Sequence, residues 1–147
     1  MSLHFDFKLL QRSQLTSYCD ILNILNPNET INLDQAAIQY SNIEQLYPFI
    51  QVWILENCET NQIIGCGTII IEPKLLRNYS NVAHIEDVVI HPDYQSKGIG
   101  KILIEKFIDL ANQSSCYKVI LNCNEKTKGF YEKCGLSSKN IQMSLYF

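Results

Sequence analysis

Residues 82–123 constrain the fold most. Val82–Ile90 is a run rich in β-branched residues, closed by Pro92, and reads as a strand. Ile99, Ile102, Leu103, Phe107, Leu110 and Ala111 follow at helical spacing, which predicts an amphipathic helix over about Gly98–Ser114. Lys118–Cys123 then reads as a short strand. Strand, helix and strand in that order make a crossover, and a crossover joins parallel strands. Upstream, Phe49–Glu56 and Ile63–Ile71 flank the polar turn Asn57–Gln62, a hairpin that needs antiparallel pairing. A single sheet that satisfies both demands is mixed.

The other elements fit around that sheet. His4–Leu10 alternates as a first strand. Leu15, Tyr18, Cys19, Leu22 and Leu25 give a helix over Gln14–Leu25, stopped by Asn26-Pro27-Asn28. Leu33–Tyr40 is a short second helix, residues 72–81 a loop, and Thr127–Cys134 a short helix with Gly135 at its C′ position. Ile141–Tyr146 is a last strand. The order is βααβββαβαβ: one α/β domain over residues 1–147, with helices flanking a mixed central sheet.

Charge and composition narrow the partners. The net charge of −3 offers no basic field for nucleic acid or an anionic membrane. No apolar run approaches the roughly 20 residues that span a bilayer. The N-terminal residues lack a signal-peptide layout, so a cytoplasmic protein is expected. The six cysteines form no CxxC pair and read as reduced thiols. No metal is expected: His84 and His91 have opposite strand parity, and no cysteine has zinc spacing.

Three clusters carry the chemistry. The first is His84-Ile85-Glu86-Asp87, with adjacent carboxylates inside an apolar strand. A regular strand sends Glu86 and Asp87 to opposite faces unless a bulge re-aims one. Read plainly, one is solvated and the other pairs locally. The second is Gln95-Ser96-Lys97-Gly98-Ile99-Gly100-Lys101, glycines at a helix start that free main-chain N–H groups for phosphate oxygens. It is neither a Walker loop nor a Rossmann fingerprint, and a plain structural turn is the competing reading. The third is Gly129-Phe130-Tyr131-Glu132-Lys133-Cys134-Gly135, where Tyr131 is either a proton donor or core packing.

Together, Gln95-Ser96-Lys97-Gly98-Ile99-Gly100 opening a helix and Gly129–Leu136 on a later short helix resemble the GCN5-related N-acetyltransferase superfamily. His84-Ile85-Glu86-Asp87 and Cys116-Tyr117-Lys118 are similar to the branch that acetylates the amine of glucosamine 6-phosphate. The likeness is strong over residues 82–136 and extends to layout alone before them. It implies a sheet splayed at an acetyl-CoA site and a product that feeds UDP-N-acetylglucosamine synthesis. The implied donor contacts are Val88, Val89 and Ile90 along the strand edge, Gln95, Ser96, Lys97, Gly98, Ile99, Gly100 and Lys101 on the pyrophosphate, and Asn122, Thr127 and Tyr131. The implied acceptor contacts are Asn26, Lys74, Leu75, Leu76, Arg77, Glu86, Asp87, Val88, Tyr117, Lys118 and Asn122. Tyr131, Glu86 and Asp87 would be the catalytic residues. Tyr131 would protonate the departing CoA thiolate, and a main-chain N–H near Val88 would hold the thioester oxygen.

The sequence departs from that branch in places. Asn122 stands where an acidic residue is usual, which leaves Glu86, Asp87 or water to take the amine proton. Asn26 replaces a Thr, Thr127 an Asn, and Tyr146 a phosphate-binding Arg that the partner subunit supplies. The resemblance implies a homodimer, and Leu145-Tyr146-Phe147 fits a buried C-terminal strand. Two other readings stay open: the same fold acting on a protein or polyamine amine, and a non-catalytic acetyl-CoA-binding module.

Overall fold

A computed structural model of the chain describes residues 4–147. Five strands form one sheet in the order β1-β2-β3-β4-β5. They are β1 (Phe5–Leu9), β2 (Ile50–Asn57), β3 (Ile63–Pro73), β4 (Asn81–Ile90) and β5 (Cys116–Ile120). The first four pair antiparallel and β4–β5 pair parallel, so the mixed sheet follows from the hairpins and the crossover. Four helices flank it: α1 (Leu15–Leu25), α2 (Leu33–Leu46), α3 (Ile99–Gln113) and α4 (Glu125–Lys133).

Each face of the sheet carries its own core. On one face Leu103, Ile104 and Phe107 of α3 pack on Leu55, Ile69, Ala83 and Ile85. On the other, Tyr18 and Ile21 of α1 and Tyr40 of α2 pack on Val52, Ile54, Cys66 and Val89. Burying each large apolar side chain contributes about 1.5–3 kcal/mol, so α3 is the main anchor of its face. Gly67 is required there: a Cβ at that position would lie 2.7 Å from a ring carbon of Phe107. No helix among the described residues is long and apolar enough to cross a membrane.

Several predicted bounds shift. The second helix runs six residues past Tyr40 to Leu46, started by Asn32, whose side chain accepts from the Gln35 N–H. The third strand continues through Glu72 to Pro73, which shortens the 72–81 loop to residues 74–80. The last paired strand is Cys116–Ile120 rather than Lys118–Cys123, because its parallel register with β4 ends at His84↔Ile120. The fourth helix starts at Glu125, two residues before Thr127, because Asn124 caps it through the Thr127 N–H at 3.0 Å. The expected strand Ile141–Tyr146 does not form. Ile141, Met143, Leu145, Tyr146 and Phe147 are all at least 78 % exposed, which corrects the expectation of a buried C-terminal strand. The apolar alternation is present, but within one chain it meets no sheet edge.

Candidate active site

The strand β4 carries a bulge. Cys66 pairs with Val89 and Thr68 with Glu86, so Asp87 and Val88 together oppose Gly67. Asp87 takes a left-handed φ of 53° to make the extra residue fit. This overturns the regular-strand expectation that Glu86 and Asp87 face apart. Both line one cavity of about 410 Å³ between the sheet and α1/α2, together with Tyr18, Thr68 and Tyr40. The cavity is mostly apolar, with Leu15, Leu22, Ile43, Val52 and Ile70 among its walls. Burial raises the Asp87 carboxyl above its ordinary range. Burial also pushes up the Tyr18 phenol, with the Asp87 charge adding to it and Thr68 opposing.

Beyond His84, β4 has no register partner on β5. The sheet therefore splays along Ile85–Ile90, and the expected edge Val88–Ile90 has no strand partner on the β5 side. Val89 is buried against the α1/α2 core, so its backbone is the part left for a ligand. Gln95 occupies part of that edge, donating its side-chain N–H to the Ile90 carbonyl at 2.9 Å.

The start of α3 adjoins the splay. Gly98 is its N-cap at φ 80°, a backbone state that glycine adopts without strain, and no side chain caps the helix. The first N–H groups of a helix lack intrahelical partners, so those of Ile99, Gly100 and Lys101 stand ready for an anion. Ser96, also left-handed at φ 59°, helps curl the approach. Lys97 is tied back, donating to the Asp93 carbonyl at 2.6 Å and lying over the Tyr94 ring, while Lys101 pairs with Glu105 at 3.7 Å. The main-chain N–H groups, more than these ammonium groups, are left free at the helix start.

Tyr131 projects from α4, whose Phe130 packs against Gly100 at the α3 start. Its phenol is half-buried, and burial raises its pKa, with Cys123 and Cys134 adding to the rise. At neutral pH it keeps its proton and can donate it. Asn122 is exposed between β5 and α4, and exposed Thr127 is engaged with the Asn124 cap. Asn26 caps the end of α1 and donates its amide to Glu29 at 2.9 Å.

Cations gather at the other end of β4. Tyr117 is the extra residue of an irregular β4–β5 register between Cys116 and Lys118. The Arg77 guanidinium lies 5.8 Å from the Tyr117 ring centre and Lys118 Nζ 5.5 Å, so two of the three expected cations converge. Lys74 is instead committed to Glu72, whose second oxygen meets His84 Nε2 at 2.7 Å. Leu75 and Leu76 are exposed on the same loop. The sequence did not point to Tyr18, Thr68 or Glu72 as site residues, and His84 stands in the His84–Asp87 cluster without a role of its own. Tyr18 reads as part of the apolar stripe of the first helix, and Glu72 falls in the predicted 72–81 loop.

Residues 18–136 match the Acetyltransferase (GNAT) family. Over 142 residues the chain is 32% identical to a glucosamine 6-phosphate N-acetyltransferase of Trypanosoma brucei brucei, covering 95% of this chain and 94% of that one. It is 45% identical over 93 residues to the enzyme of that name from Schizosaccharomyces pombe, covering 63% of this chain and 84% of that one. The crystal structure of glucosamine-6-phosphate N-acetyltransferase from Arabidopsis thaliana superposes with a TM-score of 0.88 at 33% identity, covering 98% of this chain and 99% of that one. The bulged strand, the glycine-opened helix and Tyr131 thus sit in a fold shared along nearly the whole chain, and the chain belongs to the acetyltransferase (GNAT) family.

Proposed function

We propose that this protein transfers the acetyl group of acetyl-CoA to the amine of D-glucosamine 6-phosphate, giving N-acetyl-D-glucosamine 6-phosphate. The observation that carries this reading is a division of charge along β4: Glu86 and Asp87 at its mid-strand bulge, Arg77 and Lys118 beside its first residues. An acceptor with an amine and a phosphate matches both groups. A polyamine or basic peptide would match the first alone. The names of the relatives support the same acceptor.

In this reading the α3 N-terminus holds the CoA pyrophosphate and the open edge of β4 pairs with the pantetheine arm. The bulge leaves main-chain groups of Asp87 and Val88 outside the β3 register, and a Val88 N–H would polarise the thioester carbonyl. The amine attacks that carbon as its neutral form. Asp87, with a carboxyl made more basic by burial, takes the proton. The tetrahedral intermediate collapses, the C–S bond breaks, and Tyr131 protonates the leaving thiolate. No residue carries the acetyl group. The chain works in the cytoplasm as a homodimer, its exposed tail at residues 141–147 pairing with a second copy, and its product supplies UDP-N-acetylglucosamine synthesis.

Incubation with acetyl-CoA and glucosamine 6-phosphate should release free CoA thiol and N-acetylated sugar phosphate in equal amounts, read by thiol titration and mass spectrometry. Thiol release without the acetylated sugar, or no release, contradicts the assignment.

A further inference from the structure

We infer that Glu72 is a positioning residue of the phosphate end of the site: it fastens Lys74 and His84 to one another and so fixes the turn that presents Arg77. The inference rests on the acceptor reading above. Glu72 lies one residue from the end of β3, paired with Val82 of β4. Its two oxygens serve different elements. One accepts from Lys74 Nζ, the first residue of the loop, and the other meets His84 Nε2 on β4 at 2.7 Å. The hydrogen bonds from Lys74 and then His84 hold its carboxyl below the usual range, so it stays ionised at neutral pH.

The loop needs such a fastening. Arg77, Asn78 and Tyr79 are consecutive left-handed residues, at φ 59°, 60° and 61°, and none is glycine. L residues hold that conformation only where the surroundings impose it. Within the turn the backbone supplies Ser80 N–H to the Arg77 carbonyl at 3.2 Å. At the far end Asn81 is anchored by its backbone N–H on the Ser115 carbonyl and its side chain on the Ser114 carbonyl. At the near end the ladder closes on Pro73 and Asn81, and the Glu72 side chain extends that hold to Lys74. Between them Arg77 rests on Tyr117, beside Lys118.

A carboxylate beside an anion site has an obvious competing effect: repulsion. If Glu72 acts only as a charge, removing it strengthens binding of a phosphate dianion. If it positions Lys74 and the Arg77 turn, removing it weakens binding. The two roles differ in sign.

The test is equilibrium binding of glucose 6-phosphate, which has the phosphate and lacks the amine, to the wild type, Glu72→Gln, Lys74→Ala and the double variant. Acetyl-CoA binding to each is measured beside it. Glu72→Gln should weaken glucose 6-phosphate about fivefold, the scale of a partly exposed charge pair, and leave acetyl-CoA unchanged. Lys74→Ala should cost less in the Glu72→Gln background than alone, because the two act as one unit. Tighter or unchanged binding in Glu72→Gln, equal loss of acetyl-CoA, or no binding by the wild type overturns the inference. Glu72→Gln is isosteric and partly exposed; should it still lower the melting temperature, His84→Gln, which removes the other partner, must show the same selective loss. Selective loss of glucose 6-phosphate without turnover of glucosamine 6-phosphate would sink the acceptor reading and leave this one standing.

Discussion

Asp87 acts through its backbone as much as its carboxyl. Its left-handed φ accommodates the bulge, the bulge turns Glu86 and Asp87 onto one cavity, and burial there raises the Asp87 pKa. The folded chain holds that proton more tightly than the unfolded chain, so ionised Asp87 costs stability above its ordinary value of 3.8. Asp87→Asn should therefore raise the melting temperature at pH 7 and not at pH 3, while kcat falls. A lower melting temperature at pH 7 would show that the carboxylate is stabilising instead. Tyr131 makes the complementary case. Its raised pKa keeps the phenol protonated, and Tyr131→Phe should lower kcat about a hundredfold with little change in KM, as expected of a group needed in the transition state. An unchanged kcat in single-turnover kinetics would remove Tyr131 from the chemistry.

At the scale of elements, the left-handed turn at Arg77–Tyr79 is the least economical backbone in the described chain. Left-handed residues cost about 1–2 kcal/mol each relative to right-handed ones, less for Asn. Tyr79 is 78 % exposed, so little packing is lost with its side chain. Tyr79→Gly should stabilise the protein by about 0.5–1 kcal/mol in denaturant titration, after the entropy gained by the unfolded chain is subtracted. Tyr79→Ala should not. Equal effects of the two would place the strain elsewhere. This turn marks where the sequence stopped being legible. The periodicity of residues 82–114 and the 57–62 turn specify the mixed sheet. The bulge does not show in that pattern, because it comes from the β3–β4 register. The α4 start was displaced because Asn124 looks like loop until its side chain is seen accepting from Thr127. Glu72 falls in the predicted 72–81 loop, yet β3 runs through it to Pro73.

For the whole molecule, the proposed function divides the site into donor and acceptor halves along β4. In that reading the splay beyond His84 and the uncapped α3 start would take the donor, and the α1/α2 cavity and the Arg77–Tyr117–Lys118 cluster would take the acceptor. The exposed apolar tail belongs to this scale as well. On the proposed pairing through this tail, the full chain should sediment as a dimer and the chain without residues 141–147 as a monomer; a monomeric full chain, or a dimer that survives deletion, would contradict that pairing. The most direct measurement compares kcat/KM for glucosamine 6-phosphate with that for glucosamine, in the wild type and in Arg77→Ala/Lys118→Ala. The wild type should strongly favour the phosphorylated sugar, and the double variant should lose that preference while its KM for acetyl-CoA stays unchanged. A preference that persists in the double variant, or one the wild type never shows, would contradict the division of charge on which the function rests.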